Sequence, residues 1–66
     1  MPEHDEWTKS LSDGSIVQYT YDEISEMCSA SIEFVGRDFK SSCANLRGPL
    51  TREQVEALFF RETRLR

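Results

Sequence analysis

Histidine, cysteine, proline and glycine are all scarce in this chain, at one, two, two and three among 66 residues. Each scarcity removes a class of chemistry. A serine or cysteine nucleophile needs a base held against it, and His4 is the single imidazole that could serve. Cys28, Cys43 and His4 fall short of the four ligands of a structural zinc site and have no zinc-ligand spacing, so neither metal nor other cofactor is expected. The glycines stand apart at Gly14, Gly36 and Gly48, not together in a loop that cradles phosphate. No apolar run approaches the roughly 20 residues that cross a bilayer, and the first six residues are acidic where a secretory signal is basic. A soluble, cytoplasmic, non-catalytic protein with reduced thiols is the expectation.

An excess of basic charge is also missing. The formal net charge is −4, which argues against binding that works by neutralising a nucleic-acid backbone. The charge is uneven, however. Residues 1–28 hold seven acids against Lys9, for −6, while residues 29–66 hold seven bases and five acids, for +2. One half suits a basic partner, the other an acidic one, and the halves suit each other.

What is present is a globular balance, with 38% apolar and 30% charged residues and seven aromatics. A domain this small buries only about 60% of its unfolded surface, so one modest core over residues 1–66 is expected, with residues 1–6 mobile. Oligomerisation into a homodimer is a natural supplement for such a scaffold.

Local signals predict an α+β fold: a small antiparallel sheet of two β-hairpins, three to four strands, with one C-terminal α-helix packed on it. Asp13-Gly14 suits a type I′ turn between strands at Trp7–Ser12 and Ser15–Tyr21. Centred there, Leu11 faces Ile16 and Trp7 faces Thr20, with Val17 and Tyr19 on the other side, so the buried face is undetermined. Gly36-Arg37 suits a type II′ turn between Ser29–Val35 and Phe39–Ala44, pairing Phe34 with Phe39 and Glu33 with Lys40. That register makes Cys28 and Cys43 diagonal neighbours, about 7 Å or more apart at Cα, too far for a comfortable bridge. Between the hairpins, Thr20 and Glu23 have capping-box spacing, and Tyr21, Ile24, Met27 and Cys28 share a helical side, which predicts a short helical turn. A helix over 51–66 follows from Thr51 as cap for Gln54 and from Leu50 stapled to Val55; Val55, Leu58, Phe59 and Leu65 form its apolar stripe.

Two candidate surfaces emerge. On the helix, Phe60 points about 140° from Val55, beside Ala57, Arg61 and Arg64. An exposed aromatic with two arginines has the composition of a binding hot spot. In the acidic half, Tyr19, Tyr21, Asp22, Glu23 and Glu26 are candidates for an anionic face that mimics nucleic acid and competes for a basic groove. The predicted function is a small protein-binding module, an accessory or inhibitory protein docking on a larger macromolecule. By size and charge it is analogous to small inhibitors carried by phages and mobile elements. The alternative is a nucleic-acid-binding regulator using the arginine-bearing helix. The stretch Leu50-Thr51-Arg52-Glu53-Gln54-Val55 resembles the opening helix of helix-turn-helix regulators over about ten residues, and no function is carried over from it.

Overall fold

In the computed structural model, residues 3–64 are described. Four strands, β1 (Glu3–Ser10), β2 (Ile16–Ile24), β3 (Met27–Phe34) and β4 (Lys40–Arg47), are followed by α1 (Arg52–Leu58) and the single turn α2 (Phe60–Thr63). The strands form one antiparallel sheet in the order β1-β2-β3-β4, a meander of three hairpins. The fold is the expected α+β class, and several of its details differ from the sequence reading.

The first difference is a register shift of one residue. Gly14, at φ 91°, ends a loop in which its N–H donates to Leu11 O at 3.0 Å and the Leu11 N–H donates to Ser15 O at 2.8 Å. The loop between the strand pairs therefore has one residue more than the type I′ turn requires, and Ser10 pairs with Ile16 and Trp7 with Tyr19. Because side chains alternate faces along a strand, that slip puts Trp7 on the same side as Val17, Tyr19 and Tyr21. The ambiguity over which face is buried disappears. Trp7 stacks on Tyr19, with ring centroids 5.3 Å apart and 15° between planes.

The second difference is at residues 20–28, where the expected helical turn is a tight hairpin. Ile24 pairs with Met27 across Ser25-Glu26, and Ser25 takes the positive φ, 62°, that the turn requires. Cross-strand pairing with both neighbours satisfies these backbone groups, which a four-residue helix would have left open. At the start, Glu3 to Glu6 pair with Thr20 to Glu23 as the first half of β1. Met1 and Pro2 lie outside the described residues.

The second predicted hairpin stands, with Glu33 opposite Lys40 and Phe34 edge-on to Phe39 at 5.0 Å. Its turn is one residue earlier than expected, over Phe34–Arg37, with Gly36 at φ 82° in the third position as in a type II turn. Cys43 pairs with Ala30 as expected; an irregularity past it, with Asn45 at φ 61°, brings Leu46 opposite Cys28 in place of Asn45. Both cysteines are free thiols.

One face of the sheet is covered. Val17, Tyr19 and Tyr21 from β2 and Cys28, Ala30, Ile32 and Phe34 from β3 form the core with Val55 and Phe59 of the helical segment. The capping box is formed, with Thr51 Oγ1 accepting from Gln54 N at 3.2 Å and Gln54 Oε1 from Thr51 N at 2.8 Å. The expected continuous helix breaks at Phe59, whose N–H reaches back only to Glu56 O at 3.1 Å. Past the break, the Thr63 hydroxyl donates to Phe59 O at 2.7 Å and to Phe60 O at 3.0 Å, a local bond that competes with regular helix. Phe59 is buried, while Leu58, expected on the apolar stripe, is 38% exposed. Leu65, the last member of that stripe, lies outside the described residues.

A polar network fixes the helix over β1. Arg52 donates twice to the Asp5 carboxylate, at 2.9 and 3.0 Å, and lies 5.0 Å from the centre of the Trp7 ring. Glu56 accepts from Trp7 Nε1 at 3.0 Å and from Lys9 Nζ at 2.9 Å. The chain then closes behind the core, because Tyr21 Oη accepts from Leu50 N at 3.1 Å and lies 3.2 Å from Cys28 Sγ.

Candidate interaction surface

Where α1 and α2 run past the β1–β2 loop, they leave a cleft of about 400 Å³, lined by Lys9, Leu11, Tyr19, Ala57, Phe60 and Arg64 among others. Phe60 stands at its side, 56% exposed, with the Arg64 guanidinium 4.9 Å from the ring centre. The break at Phe59 explains the arrangement. Phe59 turns into the core as a fully buried anchor, and its neighbour is thereby held out. Arg61 is exposed on the same helical turn. Three of the residues singled out in the sequence thus sit together.

The cleft wall is electrostatically settled on its β1 side. The Lys9 ammonium, and then the Trp7 indole, hold the Glu56 carboxyl below the usual carboxylate range, and Glu56 in turn raises Lys9. Burial pushes the Tyr19 hydroxyl up. The Arg64 guanidinium lies over the Phe60 ring, and Arg61 is exposed on the same turn.

The second candidate set does not assemble. Tyr19 and Tyr21 are 1% and 4% exposed and belong to the core, where Tyr19 backs the cleft beside Phe60, so neither stands with the acidic side chains. Burial, and then the Cys28 side chain, push the Tyr21 hydroxyl up to about 12. Strand alternation sends Asp22 to the uncovered face and Glu23 to the covered one, while Glu26 lies in the hairpin turn. Asp22 is also engaged, by His4 Nδ1, and His4 Nε2 contacts Glu6. Those two carboxylates, Glu6 first, raise His4 to about 9. They bind opposite nitrogens of one ring, so they share no centre. Among the described residues, no group of three or more histidine, cysteine or acidic side chains is placed to hold a metal ion. No helix of the described residues is long and apolar enough to cross a membrane.

Sequence reasoning missed Leu11 and Lys9 as members of the cleft. Both were visible as strand residues, but their side depends on the one-residue register that the turn sets. Comparison with protein-family models, with curated proteins and with solved structures returns no match.

Proposed function

We propose that this chain is a small, non-catalytic protein-binding module, an accessory or inhibitory protein that docks on a larger protein through the outer side of its C-terminal helical segment. The observation that carries this reading is Phe60, half exposed beside an apolar cleft and stacked by Arg64. Aromatic rings and arginines concentrate interface energy, because a rigid ring buries large area at little entropic cost and a guanidinium can both stack and donate in one plane. Phe60 is the anchor, and Arg61 and Arg64 supply the charge-assisted contacts around it. The dispersal of Asp22, Glu23 and Glu26 over two faces and a turn leaves the acidic mimic without a common surface.

Capture from native-host lysate by the tagged chain tests this, beside a Phe60→Ala, Arg61→Ala, Arg64→Ala variant and with nuclease treatment in both arms. One protein that is enriched, survives nuclease and is lost in the variant is the expected result. Recovery of nucleic acid alone would favour a regulator that uses these arginines on phosphates. A protein retained equally by the variant would move the contact elsewhere on the chain.

A further inference from the structure

The uncovered face of the sheet is a second surface, on the opposite side from the helices, and its pattern is not that of a solvated face. Of the six large apolar side chains that are exposed among the described residues, four lie on it: Ile16 and Val35 at one end, Ile24 and Met27 at the other, between 45% and 67% exposed. Ile24 and Met27 are a cross-strand pair, and the Val35 N–H donates to Ile16 O at 2.9 Å, so each end presents a contiguous apolar pair. Between them run short hydroxyl side chains, with Thr20 opposite Ser31 and Ser31 opposite Ser42. Its charges lean by strand. Glu6 and Asp22 on β1 and β2 outnumber the one cation between them, His4, whereas Lys40 and Arg47 stand at the two ends of β4. The remaining acid, Glu33, is 3.9 Å from Lys40 in the same chain.

We propose that this face binds a second copy of the chain, sheet to sheet, about a two-fold axis parallel to the strands. Such an axis reverses the strand order, so β1 of one copy lies across β4 of the other and the two ends stay in step. Glu6 then comes opposite Ser42 of the second copy, two residues along its β4 from Lys40, and Asp22 comes opposite Ser29, diagonal to Arg47 on the next strand, twice over by symmetry. Each apolar pair meets its own image and leaves water. The hydroxyl rows suit self-association for a separate reason: a hydroxyl both donates and accepts, so rows of them can satisfy their own copy, whereas rows of carboxylates would repel it. Size is adequate. Four strands, each of eight or nine residues, outline a face of roughly 500 Å² at ordinary strand spacing and rise. Two such faces bury on the order of 1,000 Å², where specific interfaces begin. Facing sheets pack about 10 Å apart and within about 30° of parallel, close enough for long basic side chains to reach the acids of the second copy.

Sedimentation velocity on the full chain over a range of concentrations tests this. The expected result is a rise from one to two copies that stops at two and weakens with added salt. Ser31→Arg, near the axis, places a charge from each copy in the middle of the contact and abolishes the dimer, while Phe60→Ala on the helical side leaves it intact. A charge exchange guards against a variant that merely misfolds. Glu6→Lys with Asp22→Lys, and separately Lys40→Glu with Arg47→Glu, each give monomers, and mixing the two restores a heterodimer in which every such pair is attractive. The proposal is overturned by a wild type that stays monomeric, by assembly beyond two copies, by a dimer that Ser31→Arg leaves intact, by one that Phe60→Ala removes, or by charge variants that fail to associate when mixed.

Discussion

Replacing Gly48 by alanine tests how the segment between β4 and α1 closes over the core. A β-carbon there would lie 1.9 Å from Cys28 Sγ and 2.9 Å from Tyr21 Oη. Neither neighbour is a loose surface end, since Cys28 is 2% and Tyr21 4% exposed. Relief requires the segment to lift, which breaks the 3.1 Å bond from Leu50 N to Tyr21 Oη, or Cys28 to leave its rotamer. Overpacking of this kind costs about 1–3 kcal/mol, and stranding a buried hydroxyl and amide adds about 1–2 kcal/mol. The sum, about 2–5 kcal/mol, is a large part of the roughly 3–10 kcal/mol expected for a chain of 66 residues. Cys28→Ala removes the nearer atom and by itself costs about 1 kcal/mol for a small cavity. In that background Gly48→Ala should cost only about 1 kcal/mol, through the remaining Tyr21 contact. Urea unfolding followed by the fluorescence of Trp7, stacked on Tyr19, gives all four stabilities, and the cycle should close with a coupling of about 2 kcal/mol. An equal cost for Gly48→Ala in both backgrounds would refute the packing described for this segment.

Adjacent phenylalanines should separate stability from binding. Phe59→Ala empties a fully buried site and costs about 3–5 kcal/mol, whereas Phe60→Ala shifts stability by less than about 0.5 kcal/mol while removing partner capture. Similar losses of stability for both changes would mean that Phe60 is a packing residue. Stability should also fall on the alkaline side. His4, ordinarily near 6.5 and raised to about 9, contributes fully below 6.5 and loses its contribution as pH rises through 9. The effect is small because the group is exposed, and a His4→Gln variant should lack it in urea titrations across that window. On the acid side, Asp5 and Glu56 are held below their ordinary values by Arg52 and Lys9, so their contribution is present above the unfolded carboxylate range and is lost as pH falls through the folded values. Asp5→Asn with Glu56→Gln should flatten that limb; an unchanged acid limb would count against the network.

Elements whose partners identify each other were legible in the sequence. Phe34 with Phe39 and Glu33 with Lys40 fixed one register because an aromatic pair and an ion pair agreed on it. Thr51 and Gln54 marked the helix start through reciprocal bonds. The hairpin at Ser25-Glu26 was hidden, since Ser25 carries no glycine-like signal for its φ of 62°. Thr20 and Glu23 there imitate a capping box, and Ile24 and Met27, three apart, read equally as one helical side or as a cross-strand pair. Asp13-Gly14 is compatible with two loop lengths, and the single residue between them decides the face of every side chain on β1 relative to β2. The same ambiguity governs the candidate sites. Phe60, Arg61 and Arg64 followed from helical angles alone, which the break at Phe59 left standing. Tyr19 and Tyr21 could be placed inside only once the register was known.

The claim that most needs a direct measurement is that Phe60 faces a different protein. A photoreactive amino acid placed at position 60, and separately at position 31, can be activated in native-host cells and the adducts identified by mass spectrometry. Position 60 should yield an adduct with one larger protein, and position 31 an adduct of twice the chain's own mass. An adduct with nucleic acid at position 60, or with nothing but the chain itself, would contradict that claim.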